Sequence, residues 1–128
     1  MIRCNLASII VHDQQVAEDF YVGKLGMKKM KDFPAGGGRW LTVQAADGSG
    51  VEIVLEPSGH DFSKAWQAAL YDRGIPLTML ACEDVQAEYE RLTALGVSFR
   101  SPPQKHADNP GTVIFDDTCG NLIMLHEG

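Results

Sequence analysis

Val51-Glu52-Ile53-Val54-Leu55 and, 70 residues further on, Asn121-Leu122-Ile123-Met124-Leu125 are two versions of one strand. Each sits beside a turn marked by an aspartate and a glycine, Asp47 and Gly50 in the first copy, Asp117 and Gly120 in the second. The spacing holds elsewhere: Leu25-Gly26-Met27 recurs as Leu95-Gly96-Val97, and acidic residues open both helical stretches, Asp13 in one copy and Glu83-Asp84 in the other. Self-similarity at a fixed interval means one supersecondary block used twice. Two blocks with the same apolar face are expected to pack pseudo-symmetrically, with a ligand cleft between them.

Residues 3–11 read as a strand rich in β-branched side chains. Asp13 reads as an N-cap, followed by Val16, Ala17, Phe20 and Tyr21 as the apolar stripe of a helix that Gly26 ends. Strands are expected over Met27–Phe33, Arg39–Ala46 and Val51–Glu56, with Pro34–Gly38 as a loop. The first block is therefore β-α-β-β-β. A connecting helix over His60–Arg73 takes Asp61 as cap and Phe62, Ala65, Trp66, Ala69 and Leu70 as its buried face. The second block repeats the first: a strand over Leu77–Cys82, then a helix capped by Asp84 and burying Val85, Tyr89, Leu92 and Leu95. Strands over Val97–Arg100, Thr112–Phe115 and Asn121–His126 follow, with Ser101–Gly111 as a polar loop. The fold class is α+β, in one domain over 1–128: module one at 1–57, connecting helix at 58–74, module two at 75–128.

Composition narrows the function. The 128 residues carry a net charge of -6, which disfavours a nucleic-acid partner, because affinity for phosphate backbones rests on Lys and Arg. No apolar run approaches a membrane span, and the N-terminal residues lack the regions of a signal peptide. Cys4, Cys82 and Cys119 form neither a disulfide framework nor a zinc knuckle, so the reading is a reduced, cytoplasmic protein. Gly36-Gly37-Gly38 leads into a strand rather than a helix, which makes it a hairpin loop and not a phosphate cradle. His12, His60 and His106 read as structural or solvated, and Cys119 as an exposed turn residue.

The ordered motifs Asp13…Ala17-Glu18-Asp19-Phe20-Tyr21…Leu25-Gly26-Met27, Val51–Pro57, Glu83-Asp84-Val85…Leu95-Gly96-Val97 and Asp116–Ile123 resemble the vicinal-oxygen-chelate superfamily, the group of glyoxalase I, bleomycin-resistance proteins and extradiol dioxygenases. The resemblance covers nearly the whole chain. The turn before the last strand departs from the family's Asp-Pro-Asp-Gly-Asn by reading Asp117-Thr118-Cys119-Gly120-Asn121. The family implies two βαβββ modules whose curled sheets share a cavity, and a homodimer. In its metalloenzymes it also implies a divalent ion on four His or Glu side chains. The matching positions here are Leu6, Val54, Leu77 and Met124. Aliphatic groups and a thioether cannot hold a hard cation, so no metal and no other cofactor is expected.

Strand alternation puts Glu52, Val54 and Glu56 on the concave side of one block and Leu122, Met124 and His126 on that of the other. Glu56 and His126 occupy equivalent strand ends and are the candidate proton-transfer or ligand-bonding groups. Leu6, Ser8, Trp40, Val54, Leu77, Met79 and Met124 are the candidate ligand-binding walls. Two functions stay open. One is a binding protein that takes a small organic molecule in an apolar cleft, as antibiotic-binding members of the superfamily do. The other is a lyase, isomerase or dioxygenase acting on a small metabolite, either metal-independent or with an atypical metal site drawn from Glu52, Glu56 and His126.

Overall fold

The computed structural model describes the backbone of residues 1–128 and the side chains of all but Lys105, His106, Asn109 and Pro110. The chain forms two compact units, Met1–Ala65 and Trp66–Gly128. Each carries a four-stranded mixed sheet.

In the first unit β1 (Leu6–Val11) runs parallel to β4 (Glu52–Pro57), from Leu6↔Glu52 to Val11↔Pro57. Antiparallel β3 (Gly38–Gln44) and β2 (Lys28–Ala35) complete the order β1-β4-β3-β2. Asp13 caps α1 (Gln14–Glu18) as expected, its carboxylate accepting the amides of Gln15 and Val16 at 2.9 and 3.1 Å. Two orphan helix-start donors are thereby satisfied. The helix continues as a π-helical segment, Asp19–Lys24, and Gly26 ends it with φ +82°. Ala17, Phe20 and Tyr21 are buried, and the strands add Ile9, Val11, Leu41, Val43, Ile53 and Leu55 to the core. Each large side chain so buried contributes about 1.5–3 kcal/mol. Val16 is exposed instead, because neighbouring helix residues point about 100° apart and Ala17 takes the inward direction.

In the second unit β5 (Thr78–Cys82) runs parallel to β8 (Leu122–Glu127), and β7 (Asn109–Asp116) and β6 (Gln104–His106) complete the order β5-β8-β7-β6. Asp84 caps α3 (Val85–Ala94) by accepting the Ala87 amide at 3.0 Å. Val85 and Leu92 are buried with Val113, Phe115, Ile123 and Leu125, while Leu95 stays exposed. Two expectations change here. Val97–Arg100 is no full strand: Phe99 makes an isolated bridge to Phe115, and pairing resumes only at β6. The stretch read as a polar loop, Ser101–Gly111, is thus largely hairpin, with β6 and the start of β7 inside it.

The connecting helix α2 (Asp61–Asp72) corrects the sequence reading most. The His60 carbonyl accepts the Lys64 amide at 3.1 Å, so His60 and not Asp61 stands at the cap position. Phe62 and Trp66 are 73% and 49% exposed, Ala65 is exposed too, and the buried residues are Ser63 and Gln67. Gln67 is held inside by hydrogen bonds, its Nε2 donating to the Cys119 carbonyl at 2.9 Å and to Asn121 Oδ1 at 3.0 Å.

Candidate functional site

Each sheet has one face towards its helix and an opposite, open face, exposed at Leu6, Ser8, Leu77 and Met79 and buried at Thr42 and Val54 in the centre of the first sheet. In the first unit Thr42 lies opposite Val54, and Ser8 opposite Val54 on the other side. Alternation then puts Leu6, Ser8, Trp40, Thr42, Glu52, Val54 and Glu56 on the open face. Their contacts agree. Ser8 Oγ donates to Glu56 Oε1 at 3.0 Å, and Thr42 Oγ1 donates to Glu52 Oε1 at 2.6 Å. Lys31 Nζ lies 3.8 Å from Glu52 Oε1, and the Lys31 amide donates to Thr42 Oγ1 at 3.1 Å. Leu6, Ser8 and Glu56 are exposed and Trp40 is half-buried, while Val54 is only 3% exposed, in the sheet centre.

Sequence reading missed Phe33, whose ring stacks on Trp40 with centroids 6.4 Å apart. A bulge between Lys29 and Lys31 shifts the register so that Phe33 comes opposite Trp40. Nothing in the local residues marks that bulge. The helix side carries the charge network instead. Arg39 meets Asp32 twice, Nε to Oδ1 at 3.0 Å and Nη2 to Oδ2 at 2.8 Å, and Nη2 also reaches Glu18 at 2.8 Å. Lys29 bridges the same two carboxylates at 3.1 and 3.2 Å. The Arg39 hydrogen bonds pull the Asp32 carboxyl down to about 2, and the Lys29 hydrogen bond lowers that of Glu18.

In the second unit Met79 pairs with Met124 and Ala81 with His126, so both pairs share the open face. Leu77 lies one residue before β5 and is 58% exposed; Met79 is 59% exposed, and Met124 and His126 are half-buried. His126 Nδ1 is 3.1 Å from the Glu127 carbonyl. Glu127 turns the other way and accepts the Val85 amide at 3.2 Å. Glu56 and His126 are each the penultimate residue of the last strand in their unit.

His12 is exposed, and His60 stacks on Phe62 with centroids 5.0 Å apart. The His106 side chain lies outside the described residues. Cys119 is fully buried rather than exposed. Its amide donates to Asp117 Oδ1 at 2.8 Å and its carbonyl accepts from Gln67, which folds the turn inward.

This arrangement and the sequence define the class. The chain belongs to the Glyoxalase/Bleomycin resistance protein/Dioxygenase superfamily, whose family model matches residues 3–125. Among its relatives is YurT of Bacillus subtilis (strain 168), 43% identical over 121 residues and aligned over 94% of each chain. The solved structure of UcmS2 is similar over 98% of both chains, with a TM-score of 0.85 and 32% identity. TnmS3, an antibiotic binding protein from Streptomyces sp. CB03234, is similar over 99% of this chain and 96% of its own, with a TM-score of 0.75 and 28% identity.

A divalent ion of the kind the family's metalloenzymes use does not fit the side chains present. Leu6, Val54, Leu77 and Met124 offer no oxygen or nitrogen donor. Among the described residues no three His, Cys, Asp or Glu side chains are grouped to hold a metal. Among them, too, no helix is long and apolar enough to cross a membrane.

Proposed function

We propose that this chain binds a small organic molecule, without a metal ion, on the open faces of its sheets. The observation that carries the reading is the chemistry of those faces. Leu6, Val54, Leu77 and Met124 are apolar where ligation would need donors, Trp40 and Met79 add apolar surface, and Ser8, Glu56 and His126 supply a few polar groups among them. Apolar walls with few polar handles are the usual form of a small-molecule site. The two methionines suit irregular ligands, since their unbranched chains adapt to shape. The likeness to an antibiotic binding protein supports the same reading.

A second reading, a metal-independent lyase or isomerase working through Glu56 or His126, is favoured by one contact: Ser8 fixes the Glu56 carboxylate on the open face. We further propose a homodimer, supported by exposed apolar side chains such as Phe62 and Leu77, and a reducing cytoplasmic setting, supported by three free cysteines. A thermal-shift screen of aromatic fragments, with and without Zn²⁺, Ni²⁺ or Mn²⁺, tests the main reading. Fragments should raise the melting temperature and metals should not, because only binders of the native state stabilise it. Stabilisation by metal alone would contradict it. Product formation from a stabilising fragment would favour the second reading. Sedimentation as a monomer at micromolar concentration would remove the dimer.

A further inference from the structure

The two modules differ at one equivalent place, and the cause lies in the backbone. In the second unit β7 and β8 pair continuously from Asp116↔Leu122 to Thr112↔His126. In the first, among the described residues, β3 and β4 are in register only at Thr42↔Val54 and Val43↔Ile53. The ladder stops before Leu41 and Leu55, and so short of Trp40 and Glu56, the pair at the level that Thr112 and His126 occupy. Pro57 bars its continuation as far as Arg39. It has no N–H to give to the facing strand, whereas the residue in its place in module two is Glu127.

The side chain of Gln14 fills the break. Its Nε2 donates to the Arg39 carbonyl at 2.6 Å and to the Leu55 carbonyl at 2.8 Å, and its Oε1 accepts the Arg39 amide at 3.0 Å. One primary amide thus stands in for a segment of strand. Gly38 is packed against it: a Cβ there would come within 3.2 Å of Gln14 Oε1 and 3.4 Å of Pro57 Cγ. The matching residue at the start of α3 is Val85, which has no such amide. A group inserted between two strands holds them further apart than the roughly 4.8 Å of a closed ladder.

We infer that Gln14 is a positioning residue of the ligand face, keeping β3 and β4 parted so that Trp40 and Glu56 flank a slot for a planar ring bearing an N–H donor. This rests on the binding reading above. The Trp40–Phe33 stack supplies a flat wall, and Glu56, held by Ser8, supplies a charged acceptor. A ring stacks on the first while its donor meets the second, and a donor to a carboxylate makes a stronger hydrogen bond than a neutral pair.

The test uses 9-aminoacridine and the donor-poor acridine at pH 7.5, with a Trp66→Phe protein in which Trp40 is the sole tryptophan. Calorimetry gives affinities and Trp40 emission reports the site. The aminoacridine should quench Trp40 and bind about tenfold or more tighter than acridine, and Glu56→Gln should bring the two within about threefold. Gln14→Leu should weaken both probes and shift Trp40 emission. Pro57→Ala, which returns a donor to β4 and keeps Gln14, should weaken both probes in a protein that folds, and the backbone N–H gained by that substitution should be protected from hydrogen exchange. If Gln14→Leu only lowers the melting temperature and Pro57→Ala binds like the parent, Gln14 is merely structural and the inference fails. Equal affinity for the two probes, with Trp40 quenched, overturns the ligand class and leaves the binding face standing. If neither probe quenches Trp40, the reading of that face falls as well.

Discussion

Ser8 Oγ donates a 3.0 Å hydrogen bond to Glu56 Oε1, tying the middle of β1 to the end of the adjacent parallel strand β4 on the open face of the first sheet. Both residues are exposed, so the contact stabilises the fold little and fixes a carboxylate in one direction.

Glu56→Gln and His126→Ala should therefore leave stability within about 0.5 kcal/mol of the parent, as substitutions away from the core usually do. Both should weaken binding of any fragment found by screening. Ser8→Phe should abolish binding by filling the face. Indifference of binding to all three changes would place the ligand elsewhere.

The Asp32–Arg39 pair should respond to acid in a defined direction. A carboxylate whose pKa is lowered by folding adds stability that is complete above its unfolded pKa and disappears as the pH falls through the folded one. For Asp32 that window runs from 3.8 down to about 2. A double-mutant cycle with Asp32→Asn and Arg39→Gln should show favourable coupling at pH 7, less at pH 3 and none well below pH 2. The coupling should also shrink in high salt, since the pair lies near the surface. A coupling that grows on acidification would reverse the assignment.

Phe115 and Phe62 should behave oppositely. Phe115 is fully buried and meets Phe99 edge-on at 5.9 Å, so Phe115→Ala should cost about 3–5 kcal/mol in chemical denaturation. Phe62 is exposed, and Phe62→Ala should change the stability of the monomer by no more than about 0.5 kcal/mol. A loss that appears only at high protein concentration would mark Phe62 as part of a dimer contact. A large loss at every concentration would return it to the core.

The contrast between those phenylalanines also shows what the residues themselves disclose. The repeat, the N-caps Asp13 and Asp84 and most of the strands follow from periodicity and turn chemistry, which are local and regular. The inward face of α2 does not. Phe62 and Trp66 have the right spacing for burial, yet Ser63 and Gln67 go inside, because Gln67 finds the carbonyl of Cys119, 52 residues away in sequence. Phe33 joins the site through a bulge that no residue type announces. Likewise, the role of Gln14 depends on a proline 43 positions further along the chain. Alternation placed Glu56 and His126 correctly on their strands, while the partner that orients Glu56 emerged only with the β1–β4 register.

The central claim, metal-free binding of a small molecule on the open faces, is tested most directly by amide and methyl chemical-shift mapping of chelator-treated protein titrated with the best fragment from the screen. Saturable shifts are expected, centred on Leu6, Ser8, Trp40, Val54 and Glu56 in the first unit and on Leu77, Met79, Met124 and His126 in the second. Shifts confined to the helix faces, or binding that appears only after a divalent metal is restored, would contradict it.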